Sequence, residues 1–176
     1  MAIIAVLQSV FANLAPFHLL SFSALFGSQL YQTFVVTKVA FNTLPRPAYT
    51  KFQKTIFPVY FHGQSLLLIL TAVTFPPHGP LSLIQQKSDW IPFAVSGVAS
   101  ALNFFIYGPR TRQLMLDRAQ QGTVDAKVTG LDGPSEEMAL LKRKFSRAHA
   151  MCIHLNLISI GALLWYTWRL ASHLQY

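Results

Sequence analysis

Four stretches of this chain are nearly free of charge, and their lengths set its class. Residues 14–41, 57–75, 90–107 and 148–168 hold a single formal charge between them, Lys38. Each approaches or exceeds the roughly 20 residues that a helix rising 1.5 Å per residue needs to cross a hydrocarbon core of about 30 Å. Breakers close the second and third stretches, at Pro76-Pro77 and Gly108-Pro109. The pattern predicts an all-α fold, a four-helix transmembrane bundle over residues 14–176. Within the first span His18, Ser21, Ser28, Gln29 and Gln32 recur at helical spacing. One face of that helix is polar and needs protein neighbours, because a polar group left unsatisfied in hydrocarbon costs several kcal/mol.

Outside the spans the pattern changes twice. Residues 1–12 place Ile3, Ile4, Leu7, Val10 and Phe11 at helical spacing beside Gln8 and Ser9, which predicts a short interfacial helix. They lack the basic start and small-residue cleavage site of a secretory signal, and the arginines of a mitochondrial presequence. Asn13 and Pro16 then read as a helix start. After the third span, residues 110–120 extend the helix as an amphipathic stretch. Residues 122–134 are a glycine-containing linker, and Ser135 caps a helix that begins Glu136-Glu137 and turns basic, the order that suits the helix dipole. Helical cytosolic extensions are therefore expected on the third and fourth spans.

Composition removes the soluble alternatives. Hydrophobic residues make up 52% and charged residues 11%, where a soluble domain carries about a quarter charged. The net charge of +8 would suggest nucleic acid in a soluble protein, but all 14 Lys and Arg residues except Lys87 and Arg169 fall at the end of or after the first and third spans. They act as topology and headgroup signals, so no nucleic-acid partner is expected. Both basic loops then face the cytosol and both termini face away. Trp90, Trp165, Tyr166 and Trp168 fall near the opposite boundary, as an aromatic belt does. The single cysteine, Cys152, excludes an internal disulfide.

Ordered motifs then carry a resemblance. His18-Leu19-Leu20, Gly27, Gln29 and Thr33-Phe34-Val35 are followed by Leu44-Pro45-Arg46, Gln53 and the run Phe57-Pro58 with Tyr60-Phe61-His62. Asn103, Pro109-Arg110-Thr111, Phe145, Arg147, His149 and Asn156-Leu157 complete the set. At these separations the chain resembles the transmembrane protein 205-like family of eukaryotic four-helix membrane proteins, from His18 to Asn156. The resemblance implies a polytopic protein with no catalytic triad, metal or cofactor, in an endomembrane or the plasma membrane ahead of a mitochondrial membrane. It brings no settled activity with it.

Counting residues from the cytosolic end of each span gives polar side chains a depth. Gln32, His62, Asn103 and Cys152 fall about 5 to 10 Å inside the boundary, with His149 just below and Gln29 and Asn156 above. His18 belongs to the opposite leaflet. These intramembrane polar residues are expected to face the bundle interior, and Leu67, Leu70 and Leu163 to meet lipid or a partner. Two readings fit the layer. It is interhelical hydrogen bonding, helped by the small residues Ser96, Gly97 and Ser100, or it is a polar cavity ringed by Arg46, Arg110 and Arg147 that admits an anionic or amphipathic ligand. A metal site from His62, His149, Cys152 and His154 is a third option. It is disfavoured because His154 points away from the His149/Cys152 face and no carboxylate lies in a span. The expected function is non-enzymatic, in lipid or small-molecule handling or as a scaffold subunit, with membrane lipids and membrane proteins as partners. A membrane-embedded oxidoreductase or oxygenase using the polar layer is the alternative.

Overall fold

The computed structural model describes residues 13–127 and 133–172, so the expected interfacial helix over residues 1–12 lies outside the described residues. Five helices follow in order: α1 (Ala15–Thr43), α2 (Arg46–Val73), the single turn α3 (Pro80–Leu83), α4 (Lys87–Asp125) and α5 (Glu136–Ser172). No strand occurs among the described residues. All but α3 are long and apolar enough to cross a membrane.

Local chemistry sets the boundaries. Asn13 Oδ1 accepts the Ala15 amide hydrogen at 3.1 Å, and Pro16 occupies the first turn, where its missing N–H costs nothing. Leu44 is extended, as a residue before proline prefers, so the chain reverses between α1 and α2 within two residues. Gly79 has a φ of +66°, and a Cβ there would meet the Val73 carbonyl oxygen at 2.7 Å, so the turn after α2 requires glycine. Ser135 caps α5 by accepting from the Met138 amide at 3.1 Å. Helix α2 starts eleven residues before the second uncharged stretch, because nothing in residues 46–56 breaks a helix after Pro47.

Packing is most extensive between α4 and α5 and between α1 and α2, while α1 touches α5 only lightly. Phe22, Leu25, Leu83, Phe93, Leu163 and Tyr166 form a buried cluster near the end where α4 begins, called here the aromatic end. Leu163, expected at the lipid face, is fully buried because it lies on the same α5 stripe as Ser159 and Tyr166. Leu70 is exposed as expected, and Leu67 packs against the cluster. Large apolar side chains such as Leu66, Ile69, Phe41, Val98 and Phe105 are exposed around the spans, a surface that suits lipid and not water. At the other, basic end α4 and α5 run on as a hairpin, where Arg118 stacks over Phe145 at 4.6 Å.

Candidate functional site

Polar side chains form a stack of layers along the bundle axis. At the aromatic end, the His18 Nδ1–H donates to the Thr71 carbonyl at 2.9 Å, and Nε2 meets the Tyr166 hydroxyl at 2.6 Å. Phe22, Phe75, Phe93 and Tyr166 surround the ring. This histidine is buried and fully paired, and it ties α1, α2 and α5 together. One turn beyond Tyr166 on α5, Arg169 bridges Asp89 at 2.8 Å.

The next layer centres on Ser159, where all four spans meet. Its hydroxyl lies 2.7 Å from the Ser96 hydroxyl and accepts from the Gln29 and Gln64 amides at 3.3 and 3.4 Å. Gln64 also donates to Ser100 at 3.0 Å. One turn lower, Tyr60 donates to Asn156 Oδ1 and Asn156 donates to Thr33, both at 2.7 Å. Below that, the Asn103 amide donates to the Cys152 carbonyl at 3.1 Å, and the Cys152 thiol meets the Thr111 hydroxyl at 3.4 Å.

Two of the four spans, α1 and α4, leave regular α geometry around these lower layers, and α2 carries a proline there. In α1, residues Tyr31–Val36 form a π-helical segment, with the Thr37 amide and hydroxyl both donating to the Gln32 carbonyl. In α4, Asn103–Tyr107 do the same, and the Gly108 amide donates to the Asn103 carbonyl. A Cβ at Gly108 would sit 2.5 Å from that oxygen, so this turn needs glycine. In α2, Pro58 lies inside the helix and cannot donate to the residue one turn earlier. Thr33, Tyr60 and Asn156 are mutually bonded, so Gln32 and Pro58, one and two residues away, share their level. Such π-helical insertions widen a helix and turn the side chains beyond them.

The same region holds polar atoms with no partner. Gln32 Nε2, Gln64 Oε1, Asn103 Oδ1 and both ends of the Gln53 amide are buried and make no hydrogen bond. All four residues are more than nine-tenths buried. Gln53 lies two turns beyond Tyr60 toward the basic end, so the unpartnered amides run from the middle of the bundle to that end. A buried amide without a partner costs about 1 to 3 kcal/mol, and several together mark a place that water or a ligand completes.

The expected polar layer is therefore reshaped. Gln29, Gln32 and Asn103 are buried, while Cys152 and Asn156 are half-buried within the networks. His149 is half-buried and stacks on Phe145. His62 is not brought in: it is exposed, bonded to its own helix at the Pro58 carbonyl and set edge-on to Phe104. Phe61 and Gln64 take the interior positions of that turn, and His62 is rotated away from them. Gln64 and Ser159, absent from the expected set, supply the central layer. Gln64 had one signal, as the only carboxamide in the second uncharged stretch, whereas Ser159 had none. No three His, Cys, Asp or Glu side chains gather among the described residues.

Arg46, Arg110 and Arg147 are all exposed at the basic end. Counting along α4 from Asn103 and along α5 from Cys152 puts Arg110 and Arg147 within roughly 3 Å of one level. Counting from Tyr60 and Asn156 puts Arg46 roughly 8 Å further out.

Fold and layers together define a helical membrane protein with four candidate spanning helices and a polar interior. Residues 20–120 match a family described as a domain of unknown function (DUF4149), and the chain belongs to that family. It is 39% identical over 171 residues to xanthocillin biosynthesis cluster protein D of Aspergillus fumigatus, covering 97% of this chain and 96% of that one. No solved structure matches it.

Proposed function

We propose that this protein is a non-enzymatic membrane factor that binds a small molecule or lipid in the half of its bundle nearer the basic end. The observation that carries this reading is the set of buried, unpartnered amides on Gln32, Gln53, Gln64 and Asn103. They lie in and around two π-helical turns, in α1 and α4, with Pro58 inside the facing α2. A relative named for a biosynthesis cluster supports a role beside small-molecule synthesis. The basic end is cytosolic by the positive-inside rule, in an endomembrane or the plasma membrane of a eukaryote. The motifs from His18 to Asn156 support kinship with the transmembrane protein 205-like family. Outside the amide site, Arg110 and Arg147, with Arg46 further out, hold anionic headgroups at the membrane surface.

Purification of the full chain in native-membrane nanodiscs, with mass spectrometry of what it releases, tests the reading. Wild type is expected to release a bound molecule in near-stoichiometric amount, and a Gln32→Leu/Asn103→Leu variant of unchanged helicity to release far less. Equal release from both removes the site. In the same preparation Arg110→Ala should retain less anionic lipid than Lys127→Ala, since Lys127 lies beyond the end of α4 and attracts only through screened solvent.

A further inference from the structure

The buried polar side chains among the described residues are Gln, Asn, Ser, Thr and one His, with no Asp, Glu, Lys or Arg. The unpartnered side-chain atoms are three N–H donors, on Gln32, Gln53 and Arg118, and three carbonyl acceptors, on Gln53, Gln64 and Asn103; Arg118 lies on the α4/α5 hairpin, over Phe145, and the other five belong to the amides. An amide presents a donor and an acceptor on one planar group, so its natural complement also does both. An ion entering among the amides would shed its water with no counter-charge beside them, because Arg46, Arg110 and Arg147 are exposed at the end of the bundle, Arg118 is on the hairpin beyond it, and Arg169 is paired with Asp89 at the opposite end.

An apolar groove lies between α1 and α2, lined by residues next in sequence to Gln32 and Gln53. Tyr31, Val35, Val36, Val39, Leu44 and Phe52 line it, and it begins at the π-helical segment that contains Gln32. Polar interior and apolar groove therefore start from one turn of α1.

We infer that the site proposed above selects a neutral amphipathic molecule, one whose head carries hydroxyl or carboxamide groups and whose apolar part lies in the α1/α2 groove, and that it rejects carboxylate, phosphate and ammonium heads. This rests on the reading of the amides as a ligand site. It assigns the neutral ligand to the interior and leaves anionic headgroups to the surface arginines, as two separate sites.

The test uses the full chain in nanodiscs and a matched series of alkyl-diazirine photoprobes bearing a hydroxyl, a carboxamide, a carboxylate or a quaternary ammonium head. The neutral probes should label peptides containing residues 31–36 and 103–107 about tenfold or more over the charged ones, given what an unpaired charge costs at such depth. Excess unlabelled long-chain alcohol should suppress that labelling in wild type, a readout that needs no variant to fold. Equal labelling by charged and neutral probes at those segments overturns the neutral selectivity and leaves the ligand site standing. Failure of every probe to label them means that water alone completes the amides, and it removes the proposed function as well.

Discussion

His18 and Gln53 are equally deep in the protein and behave in opposite ways. His18 uses both ring nitrogens and is enclosed by four aromatic rings, whereas Gln53 uses neither end of its amide. The difference extends to their surroundings. The aromatic end is packed and paired, and the basic end is polar and partly unpaired, with π-helical turns in α1 and α4. A membrane bundle gains no hydrophobic drive from packing its own helices together, so close packing and interhelical hydrogen bonds must hold it. The aromatic end provides both. The basic end forgoes part of the hydrogen bonding, and that loss is what a bound molecule would restore.

The largest effect expected from breaking this contrast is at His18. His18→Leu removes the ring from its aromatic cage, leaves the Tyr166 hydroxyl unpaired and leaves the Thr71 carbonyl only the longer bond from the Thr74 hydroxyl, for a loss of about 2 to 4 kcal/mol. Unfolding in mixed micelles by increasing denaturing detergent measures it, and a loss under about 1 kcal/mol would mean that the aromatic end is not the stable half. Gly108→Ala comes next. Its Cβ would press on the Asn103 carbonyl at 2.5 Å, so the π-helical turn must shift, at about 1 to 3 kcal/mol. Hydrogen exchange at residues 103–108 should rise in that variant and stay unchanged near Tyr166.

A matched pair sharpens the comparison further. Tyr166→Phe leaves His18 Nε2 without its partner and should destabilise by about 1 kcal/mol, whereas Gln53→Leu removes two unpartnered atoms and should be neutral or stabilising in ligand-free protein. Equal losses from the two would show that Gln53 is paired after all, and the halves would then not differ.

The smallest effect lies in the exposed hairpin. Asp125 accepts from the Gln121 amide at 2.8 Å and the Ser135 hydroxyl at 3.0 Å, and these bonds, chiefly that from Gln121, hold its carboxyl below the ordinary aspartate range. A carboxyl depressed in the folded state contributes stability that is complete above its unfolded pKa, near about 4, and is lost as the pH falls through the folded value. Exchange protection at the start of α5 should therefore drop below that pH in wild type and show no such step in Asp125→Asn. The bundle interior should not follow it.

Much of the fold was legible in the chain. The uncharged stretches located four spans, because hydrophobic length is a one-dimensional property that tertiary contacts do not alter. Ser135 was legible as a cap because its bond to the Met138 amide is local. Two interior positions were legible too: Gln32 and Asn103 are buried, as a polar group inside a span must be. His62 shows the limit. Counting gave its height on α2 but not its angle about the axis, and one residue of rotation exchanges the interior for lipid. Leu163 fails in the opposite sense, an apolar residue drawn inward by the stripe it shares with Ser159 and Tyr166.

The sequence by itself determined that this is a helical membrane protein, how many helices can span and which end is basic. The tertiary structure alone decided which of the polar groups find partners. Pairing depends on the angular position of each side chain, and that is set by helix crossing and by two π-helical turns whose bonds involve the Gln32 and Asn103 carbonyls. No periodicity along the chain encodes those turns. For the same reason Ser159, a single hydroxyl in an apolar run, became the meeting point of four helices, while Gln53, a motif residue whose burial no spacing foretold, has no hydrogen-bond partner within the bundle.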